Sequence, residues 1–471
     1  MARLMTFLHR WLGVLLGLFF AMWFFSGMVM MYVPFPSISD RERLTYLPEI
    51  NLESLNVSAA EALVACGAER VTKMRVISIN SRPTYVCDGG DGTKKGIYAD
   101  DGTLTAPIEE SYILARKNAV MQAPVSVITK TEFDQWTVHQ RFDAYRPLYR
   151  LELNDELGTN LYFSSVTGEL VQRTTAHQRF WNYIGAVPHW IYPTILRKNW
   201  ALWDAVVWWI SLFAIVTAVL GVYLGFRHWI RALVNFRSKI SPFRGWLRWH
   251  HIMGLFTGLI IVSWIFSGWL SMDHGRIFST PNPTVKQMKA LYGGSLAEVI
   301  SKINTQNLTS YKGVKEITLH AFSGEPIMIA KSEANIVDAP NLRPKMVAEA
   351  VADAFPKVSI DRWEVVQAND TYTDLLEGSL PSGTIRVELS DPKNTWLHID
   401  HRSGEILTVM DRSRRVYRWL YNGLHSLDFP GLSGRRPLWD ILMIVLLSAG
   451  FIASVTGVVL GVRRSLSLFS K

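Results

Sequence analysis

Four segments of the chain are long, apolar and free of charged residues: residues 11–39, 205–226, 252–272 and 441–462. A helix needs about 20 apolar residues to cross the hydrocarbon core of a bilayer, so each segment is long enough. Arg3 and Arg10 give the first segment the basic start of a signal peptide, but its apolar run is too long and no small-residue cleavage site follows. The pattern therefore predicts four transmembrane helices, the first of which is retained.

The short loops between these segments carry the positive charge. The loop after the second segment holds six cations and no acid, namely Arg227, Arg231, Arg237, Lys239, Arg244 and Arg248. Arg3 and Arg10 lie near the start of the chain, and Arg463, Arg464 and Lys471 near its end. By the positive-inside rule these regions face the cytoplasm. The net charge of +9 is thus a topology signal, and no nucleic-acid partner is expected.

The composition agrees with a membrane protein. Of the 471 residues, 49% are hydrophobic and only 19% are charged, and 18 are Trp. Soluble proteins have about 25% charged residues. This composition excludes a disordered chain, a collagen and a disulfide-dense secreted scaffold.

Two long loops, about residues 34–200 and 273–437, then face outward, which in a bacterial inner membrane is the periplasm. Cys66 and Cys87 both lie in the first loop. An oxidising compartment favours a disulfide between them, and two separate buried thiols are the alternative.

The chain repeats itself. His9 to Gly13 aligns with His250 to Gly254, and at the same offset the Phe-Ser-Gly sequence of residues 25–27 aligns with that of residues 266–268. At another constant offset, His189 aligns with His425 and Trp203-Asp204 with Trp439-Asp440. The predicted fold is therefore an α-helical transmembrane bundle of four spans in two parallel repeats, related by an axis along the membrane normal.

Each outer loop has the pattern of a small α+β module. Residues 57–66 and 344–355 have a helical pattern, and the strand patterns are residues 74–79, 84–87, 149–153, 160–164, 384–389 and 395–399. The predicted division is as follows: first transmembrane helix 1–36, first outer domain 37–175, outer amphipathic segment and second transmembrane helix 176–230, basic cytoplasmic loop 231–249, third transmembrane helix 250–274, second outer domain 275–412, and outer segment, fourth transmembrane helix and cytoplasmic tail 413–471.

The candidate site residues are four histidines at the membrane edges. His9 and His250 lie at equal depth on the cytoplasmic side, and His189 and His425 at equal depth on the outer side. Packing around a two-fold axis can bring each pair face to face, as two imidazoles face one haem iron. An interfacial His among lipid headgroups is the simpler interpretation of any one of them. Zinc would need three or four converging ligands, which pairs do not provide.

Glycines follow two of these histidines on the same helical face. Gly13 and Gly17 lie at i+4 and i+8 from His9, and Gly254 and Gly258 do so from His250. They would let a flat macrocycle lie between helices, although close helix packing explains such spacing equally well. No C-x-x-C-H sequence occurs, so a haem would be of b type. The prediction is two b haems, with the four histidines as axial ligands of the iron and His251 and His228 as alternates.

Two weaker features remain open between a functional and a structural interpretation. Four arginines near the span edges could pair with haem propionates or with lipid headgroups: Arg10, Arg248, Arg197 and Arg435. Residues 133–150 are rich in aromatics and cations, and either dock an oxygen-rich ligand or form a packed strand pair. No catalytic acid or base is predicted.

Four spans with histidines at matched edges, alternating with outer modules that end in the turns Val166-Thr-Gly-Glu169 and Arg402-Ser-Gly-Glu405, resemble the PepSY-associated transmembrane protein family. Members similar to this chain include inner-membrane ferric-siderophore reductases of the ferrioxamine type. The resemblance implies PepSY-like outer domains and a haem-containing reductase whose ligands are the four matched histidines. Arg464 stands where the second half would match His228, which argues against His228 as a ligand.

The resemblance implies an oxidoreductase that carries electrons across the membrane to a periplasmic ferric siderophore or similar chelate and releases Fe(II) for uptake. No flavin or nicotinamide signature is present, so the donor is a quinol or a cytoplasmic reductase. Membrane lipid is the other expected partner. The alternative function is a non-enzymatic PepSY-type protein that binds peptides or regulates a protease. An iron or haem permease is a weaker alternative, because the spans lack charged residues for an ion path.

Overall fold

Four long apolar helices dominate the computed structural model, which describes residues 1–67, 71–235, 240–280, 282–303, 308–333 and 336–469. These spanning helices are Ala2–Met30, Trp200–Val234, Gly245–Leu270 and Leu438–Phe469. Each is long and apolar enough to cross a membrane, which confirms the four predicted apolar helices. All four begin before the uncharged runs; the first begins at Ala2, because charged side chains such as Arg3 and Arg10 do not end a helix.

The four spanning helices form a ring. The first helix packs against the second and the fourth, and the third helix packs against the same two neighbours. The first and third helices therefore lie diagonally opposite each other. Leu16, Phe20, Phe24, Trp264 and Trp439 belong to one buried apolar cluster of the bundle. The Phe24 ring lies where a Cβ at Gly450 would stand, so the first and fourth helices approach closely at this glycine.

Two β-rich units lie at one end of the bundle, which we call the sheet end; the opposite end, with the basic loop, is the loop end. The first sheet unit contains the helices Asp40–Thr45, Ala59–Cys66 and Glu110–Val120, the 3-10 turns Leu52–Ser54 and Gln140–Tyr145, and the strands β1 (Val71–Ile79), β2 (Arg82–Gly89), β3 (Lys94–Tyr98), β4 (Val125–Thr131), β5 (Leu148–Leu153), β6 (Asn160–Ser164) and β7 (Leu170–Thr174). Capping boxes at Ser39 and Ser58 start two of its helices.

The second sheet unit has a similar order of elements. It contains the helices Val285–Tyr292, Leu296–Ile300 and Pro344–Ala354 and the strands β8 (Glu316–Phe322), β9 (Glu325–Lys331), β10 (Ile336–Asp338), β11 (Ile360–Val365), β12 (Asp374–Leu375), β13 (Gly378–Ser379), β14 (Ile385–Leu389), β15 (Trp396–Ile399) and β16 (Ile406–Met410). Every helix and strand segment predicted in the outer loops is present, with ends moved by a few residues at most.

Short helices connect each sheet unit to the next spanning helix. They are Ala176–Ile184, Ala186–His189 and Thr194–Arg197 before the second spanning helix, and Arg412–Arg418 and Leu424–Ser426, with the π-helical turn Trp419–Gly423 between them, before the fourth.

One six-stranded sheet joins the two units. Its strand order is β10-β9-β8-β1-β2-β3, and β1 pairs with β8 antiparallel. Two four-stranded sheets, β4-β5-β6-β7 and β11-β14-β15-β16, belong to one unit each. The shared sheet joins the two units through hydrogen bonds between β1 and β8. The domain boundaries 37–175 and 275–412 stay a prediction.

A buried ionic cluster lies where β1 and β8 meet. Arg75 Nη1 lies 2.9 Å from Glu169 Oε1 and 2.8 Å from Glu316 Oε2, and Arg43 Nη1 lies at the same distances from these two carboxylates. Burial alone would raise the pKa of Glu169, but the guanidinium groups of Arg75 and Arg43 outweigh it and lower that pKa to about 2. Glu169 therefore stays ionised, and Glu316 of β8, which contacts the same two guanidinium groups, ties the second sheet unit to the first.

The expected disulfide is present. Cys66, at the end of the helix Ala59–Cys66, is bonded to Cys87 in β2, with the two Cα atoms 6.4 Å apart. It closes a loop of 21 residues, for which loss of chain entropy in the unfolded state corresponds to about 3 kcal/mol of stability.

Candidate functional site

The rings of His9 and His250 face each other at the loop end, between the diagonally opposite first and third spanning helices. Their centroids are 6.3 Å apart and their planes differ by 30°. His9 Nδ1 lies 2.9 Å from the carbonyl oxygen of Thr217 in the second helix. His250 Nδ1 lies 3.0 Å from the hydroxyl of Thr456 in the fourth helix. Each ring is thus held by the spanning helix beside its own.

The hydrogen bonds fix the tautomer of both rings. A carbonyl oxygen only accepts, so His9 Nδ1 carries the proton. The Thr456 hydroxyl already donates to the carbonyl of Ala453 at 2.6 Å, so it accepts from His250 Nδ1. Within the described residues neither Nε2 atom has a hydrogen bond. Each Nε2 therefore keeps a free lone pair, which is the form of imidazole that binds a metal.

A second facing pair lies at the sheet end. The ring centroids of His189 and His425 are 6.2 Å apart, with the planes at 69°. His189 Nδ1 lies 3.0 Å from Ser26 Oγ in the first spanning helix, and His425 Nδ1 lies 3.1 Å from Ser267 Oγ in the third.

The same reasoning assigns the proton in the sheet-end pair. Ser26 donates to the carbonyl of Met22 at 2.6 Å, and Ser267 donates to the carbonyl of Trp264 at 3.0 Å. Both hydroxyls therefore accept from Nδ1, and neither Nε2 atom has a hydrogen bond to a described residue. Burial lowers the pKa of His189 to about 3 and that of His425 to about 4, so both rings are neutral at physiological pH.

Glycines give the four rings their room. A Cβ at Gly221 would stand 2.7 Å from His9 Cε1, and Cβ atoms at Gly457, Gly268 and Gly27 would stand 3.2, 3.2 and 3.6 Å from Cε1 of His250, His425 and His189. The glycines that follow His9 and His250 at i+4 and i+8 differ in their surroundings. A Cβ at Gly13 or Gly254 would meet no described heavy atom within 4 Å, whereas Gly17 packs on Val458 and Gly258 on Val222.

Tryptophans hold the backbone of the sheet-end pair. Trp23 Nε1 donates to the His189 carbonyl at 3.0 Å, and Trp264 Nε1 donates to the His425 carbonyl at 2.8 Å. Trp203 and Trp439, of the repeated Trp-Asp pairs, donate to the carbonyls of Trp190 and Ser426 just after each histidine. These four indole N–H groups thus hold the two short segments that carry His189 and His425.

The two pairs lie at opposite ends of the bundle. His9 and Ser26 are on the same helix, about 25 Å apart at 1.5 Å per residue, and His250 and Ser267 have the same spacing. This distance is close to the hydrocarbon thickness of about 30 Å. The apolar side chains of Phe20, Phe24 and Trp264 fill the space between the pairs.

The alternate histidines take other positions. His251 is 7% exposed, and its Nε2 lies 2.9 Å from the carbonyl of Gly225 in the second helix. The rings of His228 and His251 both contact Phe243, with centroids 5.1 and 5.2 Å away. His250, and not His251, faces His9, but which histidines bind iron stays a prediction.

The four candidate arginines differ in burial. Arg197 is 3% exposed, stacks over Trp203 at 4.6 Å and donates to Gln140 at 2.7 Å. Its Nε and Nη1 atoms have no partner in the described part of the chain. Arg10, Arg248 and Arg435 are exposed. Of the four candidates, Arg197 is therefore the one that combines burial with unused donors in the described part of the chain.

Residues 133–150 form packed structure. Trp136, Phe142 and Tyr149 are buried, and Arg150 pairs with Asp134 at 2.9 Å. The aromatic side chains that suggested a docking surface are mostly inside the first sheet unit, as the packing interpretation requires.

Tyr421 is a neighbour of the site that the sequence did not reveal. Its ring stacks on His425 with centroids 5.5 Å apart, and its hydroxyl donates to Glu377 Oε1 at 2.9 Å. Glu377 is exposed in the turn between β12 and β13. Tyr421 lies in the π-helical turn Trp419–Gly423, a type of local irregularity that is frequent at functional sites. Tyr421 thus links His425 to an exposed carboxylate.

Within the described residues, no group of three or more His, Cys, Asp and Glu side chains is placed to hold a metal ion. The arrangement is one of facing pairs at the two ends of an apolar four-helix bundle that carries large β-rich units at one end.

The fold and the site define the class as a membrane protein with two facing histidine pairs. One pair lies within the spanning helices and the other in the short helices next to them. The chain belongs to the family described as the PepSY-associated TM region, whose family model matches residues 6–460. No curated protein matches the chain.

Proposed function

We propose that the protein is a haem-b-containing inner-membrane reductase that passes electrons across the membrane to a periplasmic ferric chelate, such as a ferric siderophore, and so releases Fe(II) for iron uptake. In this proposal the basic loop end and both termini are cytoplasmic, and the sheet units are PepSY-like periplasmic domains. The chain is two parallel repeats, each contributing one histidine to each pair.

The protonation of the four histidines is the observation that carries the proposal. All four give Nδ1–H to a fixed acceptor, which is a backbone carbonyl for His9 and a hydroxyl for the other three. Their Nε2 atoms have no hydrogen-bond partner among the residues that the structure describes. Such bonds to the second ring nitrogen orient metal-bound histidines and raise their basicity. Interfacial histidines that only contact headgroups have no need of this shared pattern.

The distances fit a metal between the rings of each pair. Two imidazoles that bind one ion from opposite sides have centroids about 6.4 Å apart, for metal–nitrogen bonds of about 2.0–2.1 Å. The observed separations are 6.3 and 6.2 Å. The open space at Gly13 and Gly254 suits a flat macrocycle, and the unused donors of Arg197 suit a propionate. We infer that His9 with His250, and His189 with His425, hold two b haems.

A bound haem supplies one-electron redox chemistry at each site. The protein's own residues do the rest of the work. The Thr and Ser acceptors fix the rings, Trp23 and Trp264 fix the backbone of the sheet-end pair, and the apolar side chains between the pairs keep water and ions from crossing.

Reduction accounts for release of the iron. Hard oxygen ligands bind Fe(III) tightly, and they bind Fe(II) much less well after one electron is added. The reaction needs no catalytic acid or base, and none is proposed. The donor, a quinol or a cytoplasmic reductase, supplies the electrons at the loop end. In this proposal the chelate approaches His425 from the side of Tyr421 and Glu377.

The direct test of the reaction uses purified protein reduced with dithionite without oxygen. Adding ferrioxamine B together with a ferrous-iron chromophore should restore the oxidised optical spectrum and yield one Fe(II) for each electron lost by the protein. A spectrum that stays reduced, with no Fe(II) formed, contradicts the proposed reaction and leaves the non-enzymatic peptide-binding or protease-regulating function as the better account.

A further inference from the structure

A buried histidine nitrogen near the loop end lacks a partner. His251 is 7% exposed, and its Nδ1 has no hydrogen bond in the parts of the chain that the structure describes. Its Nε2 lies 2.9 Å from the Gly225 carbonyl, which only accepts, so Nε2 carries the proton. The free Nδ1 of the neutral ring is therefore an acceptor that requires a donor.

The surroundings of this nitrogen are aromatic and lie at the membrane edge. The Phe243 ring contacts both His251 and His228, with centroids 5.2 and 5.1 Å away. His228 is partly exposed, and Phe226 and Trp246 nearby in sequence expose apolar surface where lipid would be. The charged residues beside His228 are Arg227 and Arg231, and the loop 227–248 contains no acid.

We propose that His251, Phe243 and His228 bind the head group of a membrane quinol, with one quinol hydroxyl donating to His251 Nδ1. The quinol hydroxyl supplies the missing hydrogen-bond donor, and the aromatic ring of the quinol packs against the ring of Phe243. The isoprenoid tail of the quinol would remain in the lipid between the second and third spanning helices. The site is next to His250 in the chain, at the end where the proposed function needs its electrons. The inference rests on that function and names its donor.

The overall reaction balances. One quinol loses two electrons and two protons and becomes a quinone, and two ferric chelates each take up one electron and become ferrous. Both protons pass to water at the cytoplasmic surface.

Binding is tested first, because it needs no turnover. The probe is a fluorescent hydroxyquinoline N-oxide, a quinol analogue whose hydroxyl can donate a hydrogen bond as a quinol hydroxyl does. It is titrated into the purified full-length protein. We expect the wild-type protein to quench the fluorescence at a stoichiometry of one, and His251→Phe to bind at least about tenfold more weakly, which corresponds to about 1.4 kcal/mol. His177→Phe, at an exposed histidine of the sheet end, is the control and should bind as wild type.

The second measurement separates this inference from the proposed function. Duroquinol should reduce the haem spectrum of the wild-type protein and of His177→Phe but not that of His251→Phe, while dithionite should reduce all three. If His251→Phe does not fold, Phe243→Leu serves instead, with the same expectation. Equal binding and equal quinol reduction in wild type and variants would overturn the quinol site, and the buried nitrogen would then be satisfied by water. Absence of any haem would instead overturn the proposed function, while the binding titration would still report on the site.

Discussion

His9 and His250 face each other with 6.3 Å between their ring centres, although one belongs to the first spanning helix and the other to the third. His189 and His425 face each other at nearly the same distance at the other end of the bundle. In both pairs the Nδ1 atoms are hydrogen-bonded, and the Nε2 atoms have no hydrogen bond to any residue that the structure describes. The proposed function depends on this geometry.

The acceptor of His250 can be removed without changing the size of the side chain. Thr456→Val deletes the hydroxyl that accepts from His250 Nδ1. Because loss of such a partner typically costs 10–100-fold in metal affinity, we expect weaker haem binding at the loop end and a shifted midpoint potential for one of two haems. Redox titration followed optically measures both.

The matched control for this variant is Thr217→Val. His9 Nδ1 donates to the backbone carbonyl of Thr217, while the Thr217 hydroxyl donates to the backbone carbonyl of Phe213. The control therefore keeps the His9 bond and should titrate as wild type. Identical midpoint potentials in Thr456→Val and wild type would show that the hydroxyl does not act on a bound metal.

Gly221 sets the position of the His9 ring. A Cβ at this position would stand 2.7 Å from His9 Cε1, closer than real contacts allow. We expect Gly221→Ala to displace the ring and to lower the haem content from about two per chain to about one. Gly225→Ala is the control, because its Cβ would make an ordinary contact of 3.6 Å with Leu255. Pyridine-haemochrome assay against protein concentration gives the ratio, and full haem content in Gly221→Ala would contradict the placement of His9.

The buried carboxylate of Glu169 should matter for stability rather than for redox activity. Glu169→Gln leaves Arg75 and Arg43 without a full counter-charge, and breaking a buried pair costs about 3–5 kcal/mol. Glu333→Gln removes an exposed pair with Lys315 and should cost less than about 1 kcal/mol. Thermal unfolding of the detergent-solubilised protein compares them, and equal midpoints would contradict the structural role of the cluster.

The same cluster predicts the pH dependence of stability. The folded-state pKa of Glu169, about 2, is below the ordinary value of about 4.3. The contribution of ionised Glu169 to the free energy of unfolding is therefore fully present above about pH 4.3 and is lost as the pH falls toward 2. The wild-type protein should lose its stability advantage over Glu169→Gln across that window. A difference that stays constant from pH 6 to pH 3 would show that Glu169 is not the titrating group.

The sequence predicted those features that repeat or that follow local periodicity. Uncharged apolar runs located the four helices, and alternation located strands such as β1 and β6. The constant offset between His9 and His250, and between His189 and His425, predicted pairs that the structure does bring face to face. Matched sequence segments are informative because they relate residues that are distant in the chain.

Features that depend on packing between distant segments were not predictable. Pairing of β1 with β8 joins the two sheet units, and nothing local to either strand specifies its partner. The acceptors Thr217 and Thr456 and the stacked ring of Tyr421 reach the histidines only after the helices pack. Ser26 and Ser267 could have been found, because the repeated Phe-Ser-Gly sequence contains them, but their role needed the geometry.

The most direct test of the central claim is the haem content and optical spectrum of the protein purified from haem-replete cells. The account predicts a Soret band, an α band that appears on reduction with dithionite, and about two b haems per chain, with about one haem left in His9→Ala/His250→Ala and about one in His189→Ala/His425→Ala. Colourless wild-type protein, or double variants that keep the full haem content, would contradict it.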